Sequence, residues 1–131
     1  NEMSLAFSQE NVAPSKSNVQ LTGFTARGYC ARNYGSIIGV TGSINEARTA
    51  GTLTLEVTVT DATTGTLTAT GLTVDIDGTN TRTSTTVQDG GTDIFNAGDI
   101  IGLRLTTSAA WAPTTADLDA AVAIVYDGRT R

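Results

Sequence analysis

The sequence predicts an all-β fold: an antiparallel β-sandwich of about eight strands, jelly-roll-like in arrangement. Three observations carry this expectation. Of 131 residues, 25 are threonine, whose β-branched side chain favours strands. Apolar residues recur at every second position in several segments separated by Gly, Asp and Asn. Only residues 116–125 invite a helix, and their Val/Ile-rich run reads better as strand. No repeat of fixed period is present, which argues against a solenoid or propeller. The length fits one domain.

Residues 1–17 read as an N-terminal arm ahead of a β-sandwich domain at 18–131. Within the arm, 4–9 is a short strand with Leu5 and Phe7 on one face, and Asn11, Pro14, Ser15, Lys16 and Ser17 form a polar break. Chain termini are loosely held unless docked. The arm, with Leu5, Phe7 and Val12, is therefore a candidate anchor on another chain. From Asn18 onward Val19 and Leu21 alternate with polar neighbours, and Gly23, Gly28 and Gly35 interrupt a stretch carrying Phe24, Tyr29 and Tyr34. Residues 36–44 place Ile38, Val40 and Ile44 on one face, with Gly42 between them. The clearest strand is 52–60: Leu53, Leu55, Val57 and Val59 face one way, and Thr54, Glu56, Thr58 and Thr60 the other. After a turn at 61–65, residues 69–76 turn Leu72, Val74 and Ile76 inward. Asp77-Gly78, with Asn80, is a turn signal. Residues 81–87 form a polar edge or solvated strand, and Asp89-Gly90-Gly91 turns again. Residues 99–107 point Ile101, Leu103 and Leu105 inward; Trp111 and Pro113 lie in a loop; 118–126 closes the domain with Val122, Ile124 and Tyr126 as one face.

Composition narrows the function. The chain carries a net charge of −5, is 16% charged and has one lysine, Lys16. That argues against nucleic acid, which demands clustered cations, and against anionic membranes. With no histidine, imidazole ligation and His acid–base chemistry are excluded within one chain. The single cysteine, Cys30, excludes an intrachain disulfide and a multi-cysteine zinc site, and reads as a small buried hydrophobe. No apolar run is long enough to span a bilayer, and no signal-peptide pattern opens the chain. Aromatic residues are only 5%, so the core is thin, and oligomerisation is the usual support where disulfides and metals are missing.

Few constellations could carry chemistry. Cys30 and the serines lack a histidine base, and a lysine-dependent variant would rest on Lys16 in the arm. Asp75/Asp77 and Asp117/Asp119 are each two apart, which in a strand sets each pair on one face. Such pairs could serve glycoside hydrolysis or offer oxygens to calcium. Asp75-Ile-Asp-Gly78 opens like a calcium loop but lacks the later ligands, and a solvated strand face with a turn aspartate is the plainer reading. No phosphate-binding glycine motif occurs. Trp111, with Tyr29, Tyr34 and Tyr126, could stack on a sugar or pack within its own domain or against a neighbouring subunit. These considerations give no catalytic residue, no metal ligand and no cofactor. Trp111, Tyr34, Asp75 and Asp77 remain as candidate ligand or subunit contacts. The outward threonine rows read as solvated faces that hydrogen-bond across strands.

Three segments carry a resemblance: 35–57 (GSIIGVTGSINEARTAGTLTLEV), 70–81 (TGLTVDIDGTNT) and 95–118 (FNAGDIIGLRLTTSAAWAPTTADL). In this order they resemble a β-sandwich module of tailed-phage virion proteins, namely fibre-tip domains, head fibres and capsid decoration proteins. The Phe95-Asn-Ala-Gly-Asp99 element with its following strand also resembles the turn and strand of trimeric TNF- and C1q-like jelly rolls, where the Gly-Asp corner delivers a buried strand near the three-fold axis. The resemblance implies a non-enzymatic homotrimer on the virion surface, assembled in the host cytoplasm and partnered by phage capsid or tail proteins. Cytoplasmic assembly is consistent with a chain that forms no disulfide of its own. The short arm favours a capsid decoration or head-fibre subunit anchored through residues 1–17. The alternative is a receptor- or glycan-binding tip domain of a tail fibre, whose ligand would be a host surface glycan. An enzyme acting on polysaccharide has only the carboxylate pairs in its favour.

Overall fold

The computed structural model describes residues 2–21, 28–78 and 82–127. Gly23, Phe24, Asn80 and Thr81, singled out above, lie outside the described residues. Among the described residues there is no α-helix, and ten strands form in chain order: β1 (Glu2–Gln9), β2 (Val19–Gln20), β3 (Tyr29–Cys30), β4 (Gly35–Ile44), β5 (Leu53–Thr60), β6 (Leu67–Ile76), β7 (Thr83–Val87), β8 (Asp93–Phe95), β9 (Ile100–Thr107) and β10 (Leu118–Tyr126). One sheet has the order β1-β10-β4-β7, with β8 also on β4; the other has β2-β9-β5-β6, with β3 also on β9. All pairings are antiparallel. Because β7 and β8 share one side of β4, and β2 and β3 one side of β9, ten strands fill eight lanes in two four-lane sheets.

The period-two pattern does what it predicts in the long strands. Leu53, Leu55 and Val57 of β5, Leu103 and Leu105 of β9, and Val122 and Ile124 of β10 all turn into one core between the sheets. Gly42 of β4 faces that core as well. A Cβ there would stand 2.8 Å from Leu55 Cδ1, so the missing side chain is what lets the facing sheet approach.

Three expectations change on contact with the structure. Residues 1–17 are not a free arm. β1 pairs with β10 over eight residues in unbroken register, from Glu2 opposite Val125 to Gln9 opposite Leu118. Leu5, Phe7 and Val12 are buried in the chain's own core, so they cannot grip another chain. Ile38 is not the inward residue of its strand. A bulge at Ile38 shifts the β4–β10 register between Ala123 and Ile124, and Ile37 takes the buried position instead. Thr58, expected on the solvated face of the strand at 52–60, is fully buried, and beside it the partner strand is irregular: Thr70, Gly71 and Leu72 of β6 stand opposite the single Val57. Gly71 adopts φ +81 there. The Thr70 hydroxyl donates to the Val57 carbonyl at 2.7 Å and accepts from the Leu72 amide at 3.1 Å, so the interrupted ladder keeps its hydrogen bonds.

Candidate functional site

Trp111 is the residue that sequence left most open, and the structure places it in the core at 2% exposure. Its Nε1–H donates to the Val12 carbonyl at 3.1 Å. The indole therefore satisfies its one donor and clamps residues 10–13 against the 108–113 loop. The same loop holds that segment by its backbone: the Ser15 amide donates to the Ser108 carbonyl at 3.1 Å, and the Thr107 amide to the Lys16 carbonyl at 2.9 Å. Gly51 closes against the loop as well, since a Cβ on it would fall 2.4 Å from the Trp111 amide nitrogen. A ring held this way has no face to offer a sugar.

The carboxylate pairs are dispersed. Asp75 stands on the outer face of β6 and accepts from the Thr54 hydroxyl at 2.7 Å. Asp77 follows the strand and is exposed. Asp117 accepts from the Asn11 amide at 3.0 Å, while Asp119 is exposed on β10. Among the described residues no three Asp, Glu or Cys side chains gather closely enough to hold a metal ion. Cys30 is exposed on β3 rather than buried, with Sγ 3.6 Å from the Gly98 carbonyl.

The Gly98-Asp99 corner has a structural task. Asp99 is buried and accepts from the Ala62 amide at 3.0 Å and the Asn96 amide at 2.9 Å, which ties the 61–65 turn to the entry of β9. Asp61 caps its own turn by accepting from the amides of Thr63 at 2.8 Å and Thr64 at 2.9 Å. Those hydrogen bonds, the one from Thr64 foremost, hold its carboxyl below the usual range. A polar hollow of about 300 Å³ lies beside these groups, lined by Asp61, Thr70, Asp93 and Asp99 among others.

Tyr34 is buried and lines a wider hollow of about 450 Å³ with Gly35, Ser36, Gly90, Gly91, Ile94 and Val125. The depression exists because glycine and serine occupy four of those positions. The Ser36 hydroxyl accepts from the Gly91 amide at 2.9 Å and fixes the loop above it. Nearby, Tyr126 packs edge-on against Phe95 at 6.0 Å between centroids, and the Arg32 guanidinium sits 4.7 Å from the Tyr126 ring centre. The Tyr29 and Tyr126 hydroxyls share a hydrogen bond of 3.2 Å. That bond, helped by burial, pushes the Tyr29 phenol above its ordinary value. Of the sequence candidates, Tyr34 borders this hollow, whereas Trp111 is in the core and Asp75 stands on the outside of the other sheet. Val87 and Ile94, which the sequence pattern does not single out, are exposed apolar residues on the sheet that carries this hollow. Their signal was an outward-facing run on β7 and β8 ending in large aliphatic side chains.

No family model matches the chain, and no curated protein matches it. Among solved structures, the globular domain of zebrafish complement 1qA aligns with 99% of this chain and 100% of its own, at 12% identity and a TM-score of 0.50. The chain is a jelly-roll β-sandwich. Weaker likenesses are to a cyanophage Pam1 capsid asymmetric unit (14% identity, 96% of this chain, 85% of that one, TM-score 0.47) and to murine APRIL (12% identity, 93% and 98%, TM-score 0.42). At such identities the likeness concerns the fold alone, since one fold hosts many functions.

Proposed function

We propose that the chain is a non-enzymatic structural subunit of a phage virion surface, working as a homotrimer, in the class of capsid decoration or head-fibre proteins. The resemblance of residues 35–57, 70–81 and 95–118 to virion modules motivates the class. The observation that carries the structural reading is Trp111: the one side chain best suited to ligand stacking is spent on clamping residues 10–13 to the domain, at 2% exposure. Leu5, Phe7 and Val12 are likewise part of the core, so attachment to the particle passes through the folded surface and not through an arm.

Two measurements test this reading. Light scattering at micromolar concentration should give the mass of three chains; a monomer there sinks the trimer. Gold-labelled antibody against the chain, applied to virions of the phage that encodes it, should decorate the head. Label on the tail tip, together with binding on a glycan array, would favour the receptor-binding alternative. An unlabelled virion would refute the virion assignment.

A further inference from the structure

β1 and β2 end their respective sheets on the same side of the sandwich, and residues 10–18 cross from one to the other as a strap. Beside the strap lies a hollow of about 260 Å³ lined by Gln9, Asn11, Ala13, Lys16, Val19 and Leu105. Its apolar lining reaches the core at Leu105 and the surface at Val19, one of the exposed aliphatic residues. Its polar lining is one ammonium and two carboxamides.

The main chain of the strap is held fast. The Asn11 amide donates to Asp117 Oδ1 at 3.0 Å and the Val12 amide to the Ala116 carbonyl at 2.9 Å. Further along, the Lys16 amide donates to Thr107 Oγ1 at 3.0 Å and the Asn18 amide to Thr106 Oγ1 at 3.1 Å. Asn11, Ser15 and Asn18 hold φ of +47, +58 and +51, left-handed backbone that such residues keep only where their surroundings fix it. The hollow is therefore pre-formed, and a ligand entering it has no loop to order. The side chains are less committed. Lys16 is the chain's one lysine, and its ammonium has no carboxylate partner: the one ion pair among the described residues joins Arg104 to Glu56. The Gln9 carboxamide donates only to the neighbouring Glu10 carbonyl at 3.0 Å, and the Asn11 carboxamide makes no hydrogen bond among the described residues.

We propose that this hollow binds an acidic sugar, one hexuronate ring with its carboxylate on the Lys16 ammonium. Each lining group selects part of that ligand. An unneutralised ammonium takes an anion, and it does so on a chain whose net charge of −5 repels anions elsewhere. A carboxamide presents a donor and an acceptor side by side, which matches a pair of adjacent ring hydroxyls. Ala13, Val19 and Leu105 suit the aliphatic C–H face of the ring. The volume lies just under the roughly 300–1,000 Å³ of sites for drug-sized molecules, so it takes one ring and not an acyl chain. No lining residue is aromatic, so a nucleobase has nothing to stack on. A bare carboxylate would use the ammonium and leave the carboxamides and the apolar lining idle. The site goes beyond the structural-subunit reading and does not depend on how copies of the chain assemble.

The test titrates the full, ¹⁵N-labelled chain with sodium glucuronate, glucose and sodium acetate at matched ionic strength and follows the backbone amides by NMR. Glucuronate should give saturable shifts centred on Gln9, Asn11, Lys16, Val19 and Leu105, and should bind at least about fivefold more tightly than glucose or acetate. Lys16→Gln removes the charge at an exposed side chain, so the fold is kept; it should weaken glucuronate at least about fivefold and leave glucose unchanged. Asn11→Gly keeps the left-handed backbone and drops the carboxamide, and should weaken glucuronate and glucose alike. Arg82→Gln, at an exposed arginine that binds the Asn45 carbonyl, should match the parent. Circular dichroism verifies the fold of each variant, and Lys16→Gln decides alone should Asn11→Gly fail to fold. Absence of a saturable shift overturns the inference, as does a shift centred elsewhere or undiminished glucuronate binding in Lys16→Gln. Acetate binding as tightly as glucuronate overturns the sugar and leaves an adventitious ion only.

Discussion

Removing β1 should unfold the domain, not merely release it from a partner. Phe7 lies opposite Ala120 and Leu5 opposite Val122, with both side chains buried. Truncating a buried Phe to Ala costs about 3–5 kcal/mol, and a buried Leu about 2–5 kcal/mol. The two share a strand face, so the pair need not add fully, but the combined loss lies near 5–10 kcal/mol. A domain of this length has a total stability of roughly 7–20 kcal/mol. Phe7→Ala alone should therefore leave a folded but weakened domain, and Leu5→Ala/Phe7→Ala should sit at the edge of folding. Deletion of residues 2–17 also strips β10 of its outer ladder and leaves the Trp111 indole N–H without the Val12 carbonyl, so no cooperative transition should remain. Urea titration read by the fluorescence of Trp111, the chain's one tryptophan, measures all three directly. A deletion variant with the parent's midpoint and slope would refute the reasoning and restore the segment as a free arm. A Phe7→Ala cost below about 1 kcal/mol would do the same for that residue's place in the core.

Thr58 is fully buried, and its hydroxyl has no hydrogen-bond partner, so Thr58→Val, nearly equal in shape, should be neutral or stabilising by about 1 kcal/mol in the same titration. Gly71→Ala should cost about 1–2 kcal/mol: φ is +81 but no atom lies within 4 Å of the new Cβ, so the cost is backbone strain alone. Gly35→Ala should cost more, because its Cβ would meet the Val125 carbonyl oxygen at 2.3 Å. Asp61, held below the usual range in the fold, stabilises above about pH 4 and loses that contribution as pH falls through its depressed value. Asp61→Asn should therefore shallow the fall of thermal midpoint on acidification. Tyr29, pushed up by the Tyr126 hydroxyl, contributes stability that is whole below about pH 10 and fades as pH rises through the raised value. Tyr29→Phe should remove that alkaline component, and ultraviolet titration should show Tyr29 ionising earlier in Tyr126→Phe.

The local pattern was legible where strands were long and alternation unbroken. Leu118–Tyr126 and the inward rows of β5 and β9 follow from period two alone. What failed was everything fixed by partners far along the chain. Leu5 and Phe7 show the same alternation as a core strand, yet the polar run from Asn11 to Ser17 argued for an arm. That run is held by the 107–117 loop through Val12 to Ala116, Ser15 to Ser108 and Lys16 to Thr107, pairings some ninety residues or more apart that no local window contains. Trp111 was ambiguous for the same reason, since its partner is the Val12 carbonyl. Ile38 failed differently. The alternation of Ile38, Val40 and Ile44 is real in the sequence, but two isoleucines in succession leave a choice, and the bulge awards the core to Ile37. β8 was missed because three residues between turns carry no periodicity to read.

Threonine, the most conspicuous feature of the composition, ends up with a sharper role than strand propensity. Its hydroxyls tie neighbouring segments: Thr54 to Asp75, Thr70 to Val57, Thr86 to Thr73, Thr107 to Ala13, and Thr41 to Thr85 across β4 and β7. A hydroxyl that bonds within the chain keeps the surface polar while it stands alone, and it needs no counter-charge if the surface is later covered. Lysine or glutamate at Thr41 and Thr85 would serve solubility equally well, but each would have to be desolvated or paired when a second copy closed over it. A chain could therefore stay soluble and still assemble by confining its charges to one sheet face and the rims and clothing the other face in Thr, Ser, Ala and a few aliphatics. The distribution of Glu56, Arg104 and Asp75 on one side, and Thr41, Thr85 and Val87 on the other, follows that division. If copies assemble through this sheet, Thr85→Val should strengthen self-association and Thr85→Glu should abolish it, with the fold of the single domain unchanged by circular dichroism. Equal association in the two variants would break the link between hydroxyl-clad sheet and interface.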